Sequence, residues 1–194
     1  MNQQDMNRTL EDMMIKSGAL LKGHFLLTSG LHSGHYLQCA LLLRYPEYAA
    51  YCGKALAENL VSLKPDIIVA PAMGGLIIGH EVARYLGVPF IFCERENGKM
   101  SLRRFPFPKN SRTVVIEDVI TTGGSAREVG ELMTANSVDW VATACIVNRS
   151  GGKSVLPSDP VSLMQVDFPT YDPSECPLCG EGLKLVKPGS RKQN

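Results

Sequence analysis

Apolar and polar positions fall into two rhythms along this chain. Residues 66–70, 88–93, 113–118, 140–147 and 161–166 are short runs rich in Val, Ile and Ala, with the length and hydrophobicity of strands buried on both faces. Between several of them, apolar residues recur at helical spacing. Residues 10–21 carry Leu10, Met13, Met14 and Leu20, and Gly18 is placed to end or interrupt that helix. Residues 45–63 present Ala49, Cys52, Leu56, Leu60 and Leu63, with Pro46 in the first turn and Pro65 beyond the last. Residues 76–86 and the run from Ser125 through Ala126, Val129, Leu132 and Met133 read the same way. Residues 25–39 differ: two Ser-Gly pairs mark turns between short strands and predict a hairpin. The pattern predicts an α/β fold with a mainly parallel, doubly wound sheet and helices on both faces. It divides a single domain into residues 1–40 (helix and hairpin), 41–170 (core) and 171–194 (a C-terminal segment with a basic tail).

Ligands of such sheets bind beyond the carboxyl ends of the strands, and four strand ends here carry unusual residues. The run Val114–Ser125 passes from strand to an acidic pair, Glu117 and Asp118, then to Thr121, Thr122, Gly123, Gly124 and Ser125, and then to a helix. A hydroxyl- and Gly-rich turn at a helix N-terminus can aim N–H groups at a phosphate. The carboxylates cannot serve that phosphate, but they suit sugar hydroxyls or a divalent cation. A second loop, Pro71-Ala72-Met73-Gly74-Gly75, lets the backbone approach a ligand closely. A third, residues 94–104, is polar and basic without helical periodicity, and reads as a long mobile loop able to close over a polyanion. The fourth carries Arg149, whose guanidinium fork suits a carboxylate.

These segments together resemble the type I phosphoribosyltransferases, and Val114–Ser125 resembles that family's motif for phosphoribosyl diphosphate (PRPP). Ser29, Gly30, Ser33 and Tyr36 match the hood segment of the orotate phosphoribosyltransferases. The resemblance spans residues 10–170 and implies the type I fold with a small N-terminal hood. It also implies transfer of the 5-phosphoribosyl group from PRPP to orotate with Mg²⁺, giving orotidine 5′-monophosphate and diphosphate in pyrimidine synthesis. On that resemblance Glu117 and Asp118 hold the ribose, and Thr121–Ser125 hold the 5′-phosphate. Ala72, Met73 and Gly74 take the diphosphate. Arg95 and Lys99, with Arg103 near them, meet the leaving charge from a lid that reaches across a homodimer. Lys99, Arg95 and Asp118 are its catalytic residues. Arg149, Thr121, Tyr36 and His32 face orotate. The chain departs from the family pattern at Thr28 and Gly74, where many or some members have lysine, and at Arg103 and Arg104, where the loop elsewhere continues with Lys, His and Gly. Those departures leave room for a purine-base phosphoribosyltransferase. A PRPP-sensing regulator that binds nucleic acid is a third reading.

Composition narrows these. Net charge is +1 and there is no strongly basic block of domain size, which argues against nucleic acid as a partner. No apolar run reaches membrane-span length, and residues 1–11 are too polar for a signal peptide, so a cytoplasmic protein is expected. Cys39, Cys52, Cys93 and Cys145 sit in apolar segments and read as reduced core residues. Cys176-Pro-Leu-Cys179-Gly instead has the form of half a zinc knuckle. No second CxxC or CxxH pair exists, so two further ligands would have to be brought there by folding.

Overall fold

The computed structural model describes residues 3–27 and 29–188, and Thr28, one of the departures noted above, lies outside them. In chain order the elements are α1 (Gln3–Ser17), β1 (Leu20–Leu26), β2 (His32–Leu37), α2 (Cys39–Leu43), α3 (Pro46–Leu60), β3 (Ile67–Pro71), α4 (Gly75–Leu86), β4 (Phe90–Glu96), β5 (Lys99–Ser101), β6 (Arg112–Ile120), α5 (Gly124–Ala135), β7 (Asp139–Asn148), β8 (Val161–Gln165), β9 (Thr170–Tyr171), α6 (Pro177–Gly180) and β10 (Leu185–Val186).

Six strands form the central sheet in the order β5-β4-β3-β6-β7-β8. All neighbours are parallel except the edge pair β4–β5. Period-two alternation sends Ile68, Val114, Ile116 and Ile146 into one core with Leu56, Leu60 and Ile78 of α3 and α4. It sends Ile67, Val69 and Val115 to the opposite face, against Val129 and Met133 of α5. Helices therefore cover both faces, which is why these strands read as continuously apolar. Cys39, Cys52, Cys93 and Cys145 are buried free thiols, as their apolar surroundings imply. No described helix is long and apolar enough to cross a membrane.

A second sheet lies beside the first. The predicted hairpin, β1 with β2, forms its centre, and the C-terminal segment supplies both flanks, in the order β10-β1-β2-β9. Sequence patterning gave no sign of β9 or β10, because two-residue strands carry no detectable period. The segment 94–104 also departs from expectation. It is a β-hairpin, with Glu94 paired to Ser101, Arg95 to Met100 and Glu96 to Lys99. Asn97 and Gly98 turn it at φ 48° and 83°, the left-handed pair that a two-residue hairpin turn requires. Asn-Gly between two strands was the sequence signal for this turn.

Candidate functional site

The acidic pair lies inside β6 rather than at its end, since pairing with β7 continues to Ile120 opposite Asn148. Thr121 is thus the first residue beyond the strand, and Gly124 opens α5. The amides of a helix's first turn lack intrahelical acceptors, so the loop Thr121–Ser125 ends on a ready anion site. The loop after β3 packs directly on the acidic pair. A Cβ at Gly74 would stand 2.6 Å from Asp118 Oδ1, and one at Gly75 would stand 2.5 Å from the Ile116 carbonyl oxygen. Glycine at both positions is what lets the diphosphate-loop candidate and the carboxylates share one edge.

That closeness leaves the carboxylates poorly hydrated. Burial first, and then the neighbouring Asp118, push Glu117 up to about 8. Burial also raises Asp118, although its Oδ1 accepts from the Val119 N–H at 2.8 Å. Two adjacent desolvated carboxyls within a strand are the kind of perturbed pair that marks functional sites. They gain most from a partner that brings hydroxyl donors or positive charge.

The basic hairpin packs its β5 strand against α5. Arg95 donates to the Gly98 carbonyl at 2.6 Å and to Glu128 Oε1 of α5 at 3.0 Å. Lys99 is exposed at the first residue of β5. Arg103 faces Glu96 at 3.7 Å, and Arg104 binds Glu94 through Nε and Nη2 at 2.7 and 3.2 Å. Glu128 and Glu94, unremarked in the sequence, hold two of the arginines.

Arg149 follows β7, and its N–H donates to the Ile120 carbonyl at 2.7 Å, which ties it to the strand bearing the acids. Its guanidinium carbon lies 5.9 Å from the centre of the Phe168 ring. A cavity of about 360 Å³ opens beside it, lined by Asn148, Gly151, Gly152, Gln165, Val166 and Asp167. A larger space of about 460 Å³, bounded by α1, the hairpin and the same Gln165–Phe168 segment, shares two of those residues. Sequence reasoning missed Asn148, Gln165 and Phe168. Like the chosen loops, residues 165–168 lie at a parallel strand's carboxyl end, and that rule could have found them.

The hairpin residues divide. Tyr36 is half-buried with its ring 5.9 Å from that of Phe25, and Ser33 is buried, donating to the Pro169 carbonyl at 3.1 Å. His35 stacks on Phe168 at 4.5 Å. His32, expected to face orotate, lies against other partners. Its ring is buried, and Nδ1 lies 2.9 Å from His24 Nε2 and 3.4 Å from Cys179 Sγ. The strand alternation that turns Ser33 toward Pro169 puts His32 on the opposite face of the hairpin, against Cys179 of the C-terminal segment.

Comparison with known proteins agrees with this arrangement. The phosphoribosyl transferase domain family matches residues 42–170, and the chain belongs to that family. Orotate phosphoribosyltransferases of Thermotoga maritima and Desulforamulus reducens are 46% and 47% identical to it, over 94% and 96% of this chain and 98% and 99% of theirs. The crystal structure of the orotate phosphoribosyltransferase from Aeropyrum pernix superposes with a TM-score of 0.71 at 27% identity, covering 81% of this chain and 93% of that one. Within the phosphoribosyltransferases, this chain falls in the orotate branch.

Proposed function

We infer that this chain is the pentosyltransferase that joins orotate to the 5-phosphoribosyl group of PRPP, yielding orotidine 5′-monophosphate and diphosphate. The observation that carries this reading is the packing of Gly74 on Asp118, which sets a diphosphate loop against a ribose-binding acid pair at one sheet edge. The bond from ribose C1 to the diphosphate oxygen breaks with oxocarbenium character. N1 of orotate forms the new bond to that carbon, its proton passes to solvent, and diphosphate departs with the electron pair of the broken C1–O bond. Thr121–Ser125 hold the 5′-phosphate on the first turn of α5. Glu117 and Asp118 accept from the ribose hydroxyls, which replaces the hydration that burial removed. Lys99, Arg95 and Arg103 meet the charge growing on the leaving group, aided by Ala72–Gly74 of the diphosphate loop. Closure of the basic hairpin excludes water that would otherwise hydrolyse PRPP. The partly desolvated carboxyls also fit a divalent cation: Asp118 would hold Mg²⁺ together with PRPP, and the ion supplies neutralisation of diphosphate charge. A homodimer in which the hairpin enters the neighbouring site accords with Arg95 being occupied by Glu128 within its own chain.

Arg149 takes the orotate carboxylate. Its nearness to Phe168 and to the 360 Å³ cavity supports a planar acid at this end of the sheet. Arg149→Ala should raise KM for orotate about 10- to 100-fold, as expected for loss of a charge-assisted pair. KM for PRPP should stay nearly constant, and an equal rise in both would detach Arg149 from the carboxylate. The reading as a whole is tested by diphosphate release from PRPP with orotate, adenine, guanine and hypoxanthine, each with and without Mg²⁺. Turnover with orotate alone and only with Mg²⁺ is the expected result; turnover of a purine at comparable rate would overturn it.

A further inference from the structure

We propose that His24, His32, Cys176 and Cys179 form a Cys₂His₂ zinc site that fastens the C-terminal segment to the hood. The four side chains come from three separate stretches of chain, yet their ligand atoms all lie within 4.8 Å of one another. Cys176 Sγ is 3.5 Å from His24 Nε2, Cys179 Sγ is 3.7 Å from the same atom, and Cys179 Sγ is 3.4 Å from His32 Nδ1. Zinc bonds of about 2.3 Å to sulfur and about 2.0–2.1 Å to nitrogen, at tetrahedral angles, put ligand atoms about 3.3–3.8 Å apart. Those three N–S separations fall in that range, the 2.9 Å between the two nitrogens is tighter, and no pair in the set is wider than 4.8 Å.

Hydrogen bonding alone cannot account for the cluster. His24 Nδ1 lies 2.8 Å from the Leu183 carbonyl oxygen, which can only accept, so the ring proton sits there. Neutral His24 then has a single lone pair, on Nε2, and three neighbours crowd it: His32 Nδ1, Cys176 Sγ and Cys179 Sγ. One lone pair takes one good donor, whereas a cation at the common centre takes all four groups at once. The contact with Leu183 is also the outer support that metal-binding histidines use to fix tautomer and orientation.

Local structure presents the ligands. On the hairpin, Phe25 pairs with Ser33 and Leu26 with His32, so His24 and His32 are diagonal neighbours on one face. On the other side, the Cys179 and Gly180 amides both donate to the Cys176 carbonyl, which curls the Cys-Pro-Leu-Cys turn. His24, His32 and Cys176 are buried, and Cys179 closes the outer side. Two thiolates and two imidazoles in a closed set suit structural zinc rather than an open catalytic metal.

The site would act as a staple. It joins residues 152 and 155 apart in sequence, and around it β9 and β10 pair with β2 and β1. Metal analysis of the full chain, purified under reducing conditions without added metal, should find one zinc per chain. Cys176→Ser and His24→Ala should each bring that close to zero. Stripping zinc from the wild type should lower Tm by about 10 °C and raise KM for orotate more than KM for PRPP, with zinc restoring both. Because either variant could misfold, the stripped wild type is also titrated with Co²⁺. Tetrahedral d–d bands with sulfur-to-cobalt charge transfer support the site. Zinc-free protein that gives no such spectrum would overturn the proposal, as would iron or copper in place of zinc, or zinc retained in both variants.

Discussion

Lys99→Ala lowers kcat by about two to three orders of magnitude, the usual loss when one donor to transition-state charge is removed. KM for PRPP changes little, because the lysine meets charge that grows only as the diphosphate bond breaks. Pre-steady-state turnover with PRPP and orotate is the measurement. Three features make Lys99 the sharpest substitution in the basic hairpin. It stands exposed at the start of β5, two residues past the Asn97 turn position. Arg95, on the other strand of the hairpin, is held by Glu128, and Arg104 is held by Glu94. Loss of Lys99 also removes little packing, so a fall in rate cannot be assigned to unfolding. Mixing this variant with an Asp118→Asn variant, under conditions that exchange subunits, should restore part of the activity if the hairpin serves the neighbouring site. Unchanged kcat in Lys99→Ala would take the residue out of the chemistry.

The second large effect joins stability to binding. Glu117→Gln should raise KM for PRPP about tenfold or more, and yet make the free protein more stable at alkaline pH. In an unfolded chain a glutamate ionises near about 4.3; in the fold, Glu117 is raised to about 8. The native state therefore holds a proton that the unfolded state has released between those values. Stability from this group is fully present below the lower value and is lost as pH rises through the upper one. Glutamine has no proton to lose. At pH 9 the variant should exceed the wild type by about 2–4 kcal/mol, discounted for partial exposure, or roughly 4–16 °C in Tm. At pH 4 the two should nearly coincide. Thermal melts across pH without PRPP or Mg²⁺ decide it, and a gap that does not change with pH would mean that Glu117 is ionised throughout.

This trade explains how much of the molecule could be read in advance. Strands β3, β4, β6, β7 and β8 were legible because burial on both faces demands unbroken apolar runs, and such runs survive inspection without any contact information. The acidic pair and its loop were legible because carboxylates beside a hydroxyl- and Gly-rich turn are an uncommon combination, and it leaves a short, ordered signature in Val114–Ser125. The Asn97-Gly98 hairpin was missed through the weight given to charge over turn chemistry. The surroundings of His32 were hidden for a deeper reason. Nothing local distinguishes a histidine facing a base from one facing Cys179, because that choice depends on a segment more than 140 residues away. Likewise Glu128 and Phe168 acquire roles only when α5 and the end of β8 are brought beside Arg95 and Arg149.

The pairing of β1 with β10 also sets an order of events during synthesis. Every strand of the central sheet lies between residues 67 and 165, and each can find its partners as the chain emerges. His24 instead aligns with Leu185, and β1 waits for an edge partner made about 160 residues later. Contacts of such long separation form late, because chain closure must be completed before they yield any stabilisation. A nascent chain could thus fold its central sheet, with the acidic pair and its loop, while the small sheet still lacks an edge strand; if the proposed hood covers the base, base specificity would be the last property that the ribosome confers.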